Sequence, residues 1–198
     1  MKKVILKPLV LTAILGSAVV ANADVLLNTF GATDPGFTNT GWTVDNTQSM
    51  GRAFTSPGTY VLTEIDIALF ATHAASNVRV NLCSDGGGMP GSVMESFLVT
   101  TTPDPTKYFL NSVTNPVLTA GTYFITVTPD TDDDGGAWCQ TNDGHSADLT
   151  FSTDSGATWN NFNDTDGAVT VFGSPVPEPA SFAVLGLGAL ALVRRRRK

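Results

Sequence analysis

The chain has 198 residues, with 18 acidic against 11 basic side chains, a formal net charge of −7, two cysteines and two histidines. Lys2, Lys3, Lys7 and the cluster Arg194 to Lys198 hold most of the cations, so residues 24–176 keep only Arg52, Arg79 and Lys107. That segment carries 17 acids and a net charge near −14, which leaves no basic patch to neutralise phosphates and excludes nucleic acid as a partner. Acidity of this kind suits solubility outside a cell, or the binding of cations.

At the start of the chain, Met1-Lys2-Lys3 and Lys7 give a positive region, Leu9 to Val20 an apolar one, and Ala21-Asn22-Ala23 a small-residue site. Together they predict a secretory signal peptide over residues 1–23, cut before Asp24. The working protein is then 24–176, long enough for one domain with its own core.

This domain reads as all-β. Val61, Thr63, Ile65, Ile67 and Leu69 alternate with Leu62, Glu64, Asp66, Ala68 and Phe70, and Val78, Val80 and Leu82 alternate with Asn77, Arg79 and Asn81. Further strands are expected at Val25–Phe30, Trp42–Val44, Met50–Phe54, Val93–Thr100, Tyr108–Val113, Thr122–Thr128, Ala137–Thr141, Leu149–Ser152 and Val169–Phe172. Gly, Pro, Asn and Asp clusters separate them at turn spacing, and no long 3.6-residue period appears. Many short half-buried strands must cover one another's apolar faces, so an antiparallel β-sandwich of jelly-roll type is expected. Two stretches, Val78–Leu82 running into Asp85-Gly86-Gly87-Gly88-Met89-Pro90-Gly91, and Leu118-Thr119-Ala120-Gly121 launching Thr122–Val127, resemble the extracellular sandwiches called choice-of-anchor domains. That resemblance implies a fold and a location outside the cell, and carries no activity.

Cys83 and Cys139 are the chain's two cysteines, and an exported protein meets compartments where disulfides persist. One Cys83–Cys139 bridge is therefore expected; by the parity of Arg79 and Asn81 it lies at an edge or end of the sandwich. Two cysteines, with His73 and His145 at no ligand spacing, do not make a zinc site.

The run Asp130-Thr131-Asp132-Asp133-Asp134-Gly135-Gly136 has a D-x-D-x-D-G spacing that can place carboxylates around a hard cation. Position 12 of an EF-hand, which should be a bidentate acid, is Thr141, and no helices flank the loop. Two readings stay open: calcium held by Asp130, Asp132 and Asp134 with Asp143 as a late ligand, or a solvated acidic loop. Farther on, Ser152-Thr153-Asp154-Ser155-Gly156-Ala157-Thr158-Trp159 resembles the Asp-box of sialidases and other β proteins. There Asp154 accepts backbone N–H groups, Gly156 takes a positive φ and Trp159 packs beneath. One copy and two arginines do not make a sialidase, so the motif is read as structural.

At the C-terminus Pro177-Glu178-Pro179 leads into an apolar run, Ala180 to Val193, that stops at Arg194-Arg195-Arg196-Arg197-Lys198. As a helix the run is about 21 Å long, short of the roughly 30 Å hydrocarbon core, and would span with bilayer thinning and arginine snorkelling. The positive-inside rule keeps the five cations cytoplasmic and puts Pro177-Glu178-Pro179 on the far face. The order Val176-Pro177-Glu178-Pro179-Ala180, short transmembrane helix and basic end resembles a PEP-CTERM sorting tail (residues 177–198). Such tails belong to exported proteins of polysaccharide-producing Gram-negative bacteria and are processed by a membrane protease, exosortase. The resemblance implies transient anchoring in the inner membrane and delivery to the cell surface or extracellular matrix.

No catalytic set emerges: the histidines are isolated, no G-x-S-x-G is present, and no acid pair stands out among the 17. The sequence favours a non-enzymatic surface or matrix protein. The alternative is a carbohydrate-binding module that takes extracellular polysaccharide on a platform of Trp42, Trp138 and Trp159, with calcium as an aid.

Overall fold

A computed structural model describes residues 22–72 and 76–176. Nearly all of the expected signal peptide, His73, and the tail from Pro177 onward, with the transmembrane helix expected there, lie outside the described residues. The strands are β1 (Asp24–Asn28), β2 (Phe37–Val44), β3 (Ser49–Ser56), β4 (Tyr60–Ala71), β5 (Ser76–Asp85), β6 (Pro90–Thr101) and β7 (Thr106–Asn111). They continue as β8 (Val117–Leu118), β9 (Gly121–Pro129), β10 (Gly136–Thr141), β11 (Ser146–Ser152), β12 (Asn160–Thr165) and β13 (Val169–Pro175). All pair antiparallel in two sheets packed face to face, the sandwich that the alternating pattern calls for.

β4 is the spine of the seven-stranded sheet. One of its edges pairs with β13 over Tyr60–Ile67 and with β10 over Leu69–Ala71, while the other takes β7 and β8. β1 extends the sheet beyond β13, and β2 beyond β10. The second sheet has the order β12-β11-β3-β9-β5-β6. Between them Leu62, Ile65, Ile67 and Leu69 of β4 meet Val78, Val80 and Leu82 of β5 and Ile125 and Val127 of β9, all at 0 % exposure. Burying each such side chain stabilises the fold by about 1.5–3 kcal/mol relative to leaving it in water.

The alternation of β4 holds only from Glu64 onward. Opposite Phe172 and Gly173 the register slips, Phe172 facing Glu64 and Gly173 facing Leu62, so Thr63 is an extra residue. The bulge inverts the parity below it, which sends Leu62 into the core and leaves Val61 half-buried. Two strands, β8 and β12, lie outside the expected set. β12 reads Asn-Asn-Phe-Asn-Asp-Thr, a composition depleted in strands, and it survives as an edge paired with β11 alone. Phe162 anchors it, edge-to-face with Trp42 at 5.2 Å and with Phe151 at 5.6 Å.

The two ends of the sandwich are distinct. Asp24 pairs with Gly173, and the Val176 N–H donates to the Thr59 carbonyl at 2.9 Å, so the first strand begins and the tail departs at the same end. β4 runs from that end to Ala71, which pairs with Gly136 just after the acidic loop. In the second sheet Ser56 and Gly121 lie toward the tail, and Ser49 pairs with Ser152 at the opposite end. The acidic loop and the Asp-box turn therefore lie at the end remote from the tail.

Candidate functional site

The tryptophans do not form a platform. Trp138 is 1 % exposed and its indole N–H donates to the Ala168 carbonyl at 3.1 Å; that of half-buried Trp42 donates to the Thr165 carbonyl at 3.1 Å. Both clamp the segment joining β12 to β13. Gly167 is required there, because a Cβ would stand 2.5–2.9 Å from atoms of the Trp138 indole. The same segment carries Asp166, wholly buried, whose carboxylate takes the Arg52 Nε–H at 2.9–3.0 Å. Burial pushes the Asp166 carboxyl up, against the pull of the guanidinium beside it.

The Asp-box turn is built as its residues imply. Asp154 accepts from Ser152 Oγ at 2.7 Å, from the Thr158 N–H at 2.8 Å and from Thr158 Oγ1 at 2.7 Å. These bonds, Ser152 foremost, hold its carboxyl down at about 2. Ser155 and Gly156 take φ values of 55° and 91°, and the indole of Trp159 lies 3.4 Å from where a Gly156 Cβ would be. The turn folds Trp159 back over the outer face of the six-stranded sheet, across Gly51.

The acidic loop is organised by its own chain. Asp134 accepts from the Asn77 N–H at 2.8 Å, from Thr131 Oγ1 at 2.7 Å and from the Thr131 N–H at 3.1 Å, and these bonds lower its carboxyl. Asp130 pairs with Arg79 at 2.6 Å, and Asp132 and Asp133 are exposed. Asp143 binds Thr141 Oγ1 and the His145 N–H within the next loop. The three carboxylates expected to surround calcium are thus not brought together, and among the described residues no group of three or more His, Cys, Asp or Glu side chains could hold a metal ion.

The expected disulfide is also corrected. Cys83 and Cys139 are both free and both buried. Cys83 lies on β5 with its side chain on the outer face of the six-stranded sheet, 3.7 Å from Thr126 Oγ1. Cys139 lies on β10, packed with Ala68 and Ala168 on the outer face of the other sheet. Stacked sheets stand about 10 Å apart, whereas a disulfide needs Cα atoms within about 7 Å. Burial pushes both thiols up, Cys139 to about 12.

Each cation of residues 24–176 is engaged: Arg52 with Asp166, Arg79 with Asp130, and Lys107 with Asp66 at 2.7 Å. Another polar device that sequence reasoning missed is Glu95, 6 % exposed on β6. Burial raises its carboxyl, but bonds from Ser112 Oγ at 2.6 Å and the N–H groups of Val113 and Thr114 at 2.7 and 2.9 Å leave it lowered on balance. They tie the β7–β8 connection of one sheet to the other.

The outer face of the six-stranded sheet carries a groove of about 470 Å³. Pairing aligns Asn161, Thr150, Gly51, Thr126, Asn81 and Ser96 in one row across all six strands. Beside it lie Ala53 and Phe124, paired with each other. Gly51 and Ala53 keep the β3 part of this floor low. Asp148, Thr150 and Asn161 line one side, and Thr122 and Gly88 the other. Thr150 is 3 % exposed, and its Oγ1 has no hydrogen-bond partner. No sequence motif marks these residues, which come from strands scattered along the chain.

No curated protein matches the chain. Residues 175–198 match the PEP-CTERM protein-sorting motif, which implies an exported protein that exosortase processes and that is sorted to the cell surface.

Proposed function

We propose that this is a non-enzymatic surface or extracellular-matrix protein: one sandwich, exported through its signal peptide, held briefly in the inner membrane by its tail, and released by exosortase. One observation carries the reading. The sorting motif begins at residue 175, where the last strand ends, so the tail leaves the sandwich at Val176 with no further domain between them. Cutting near Pro177-Glu178-Pro179 leaves both sheets whole, while Ala180 to Val193 and the Arg194 to Lys198 stop stay in the membrane. The sandwich itself belongs to this reading as a choice-of-anchor-like, jelly-roll cargo, whose three cations are all paired and offer nothing to nucleic acid.

The test is intact mass spectrometry of the mature protein from an exosortase-bearing, polysaccharide-producing host and from the same host lacking exosortase. Loss of Arg194 to Lys198 in the first strain and their retention in the second is expected. Recovery of the full tail in both strains refutes processing.

A further inference from the structure

We propose that the groove on the outer face of the six-stranded sheet binds a neutral, hydroxyl-rich chain, an oligosaccharide stretch of a polysaccharide. Its volume lies in the range of ligand-binding clefts. The lining reaches from Asn161 on β12 across β11, β3 and β9 to Gly88 in the β5–β6 turn. A groove that crosses the strands along an open surface suits a chain better than a compact molecule.

The lining selects the chemistry. Thr122, Thr150 and Asn161 both donate and accept hydrogen bonds, and Asp148 accepts; the Asn163 amide fixes that carboxylate at 3.0 Å. Between them Ala53 gives a small apolar floor, with Phe124, itself only 2 % exposed, beside it. A sugar presents the same two surfaces, hydroxyls around its rim and C–H groups on its faces. No Lys, Arg or His lines the groove and Asp148 does, so phosphate-, sulfate- and uronate-bearing chains are repelled. An extended peptide finds no free ladder here, because the four strands between β12 and β6 are paired on both sides. Thr150 adds an independent observation: its buried hydroxyl lacks a partner at the groove wall, a deficit that a ligand hydroxyl would repair.

The site differs from the tryptophan platform suggested by the sequence. Trp138 and Trp42 are committed to the β12–β13 segment, and Trp159 serves only as a cover across Gly51, beside Thr150.

The test uses the exported protein on an array of neutral hexasaccharides of gluco-, manno-, galacto- and xylo-type, with sulfated and uronic counterparts, followed by titration calorimetry. Binding to at least one neutral series and none to the charged ones is expected. Ala53→Phe should fill the floor and weaken binding by more than about tenfold, a loss exceeding about 1.4 kcal/mol. Thr150→Val keeps the shape and removes the hydroxyl. It should weaken binding several-fold while leaving the melting temperature equal or higher, which separates a ligand contact from a structural role. Asp148→Ala and Asn161→Ala serve should Ala53→Phe fail to fold. Absence of binding to every neutral series, preference for charged glycans, or affinity unchanged in these variants overturns the proposal. None of these outcomes bears on tail processing, which is read by mass.

Discussion

Replacing Asp166 by Ala should be among the most damaging single changes to the sandwich that spare its apolar core. Arg52 points inward from β3, on the same face as Met50 and Phe54, and its side chain is only 19 % exposed. Asp166 is its charged partner and is itself wholly buried. Removing one member of a buried pair costs about 3–5 kcal/mol, because the other charge is left without compensation. Arg52 keeps some water and a 2.6 Å bond to the Ala53 carbonyl, so the lower figure, about 3 kcal/mol, applies here. For a domain of this size that lowers the melting temperature by roughly 6–12 °C. The pair itself is not a net source of stability, since burial outweighs Arg52 in setting the Asp166 carboxyl. The double variant Arg52→Met, Asp166→Leu should therefore recover most of the loss. Thermal denaturation of the exported protein, wild type and variants, measures this. A shift under about 2 °C for Asp166→Ala, or a double variant as unstable as the single one, would refute the reasoning.

The remaining expectations concern the thiols and the two acidic turns. Native protein should show no thiol reactive to a chromogenic disulfide reagent at pH 8, and two after denaturation, because burial holds both thiols protonated; no free thiol after denaturation would restore the bridge. The carboxyl of Asp154 is depressed to about 2 in the fold, so its contribution is complete above the unfolded value near 3.9 and is lost as pH falls through about 2. Carbon NMR should follow its titration near 2, and a midpoint near 4 would contradict the turn geometry. Asp134→Ala should lower the melting temperature measurably while Asp132→Ala and Asp133→Ala leave it unchanged, with wild type melting alike in millimolar calcium and in chelator. A calcium-dependent rise that vanishes in Asp132→Asn with Asp134→Asn would reinstate the calcium loop.

The sequence by itself determined the sorting tail and the class of fold, because both are written in local order. A sorting tail is a motif, an apolar run and a basic end in succession, and a strand is a period of two over a few residues. Even the Asp-box turn was legible, since its bonds join Ser152, Asp154 and Thr158 within seven positions. What pairing decides was not. Parity places Cys83 outward, but a sandwich has two outer faces, and only the sheet to which β5 and β10 belong puts the cysteines on opposite sides. One bulge at Thr63 inverted the face of Leu62, because strand register is set against β13, more than a hundred residues away. Asp130, Asp132 and Asp134 have the spacing of cation ligands, yet Asn77 and Arg79 on a neighbouring strand claim two of them. The groove depends most on tertiary structure: Ala53, Phe124, Asp148, Thr150 and Asn161 are unremarkable in the chain and become one surface only when four strands align.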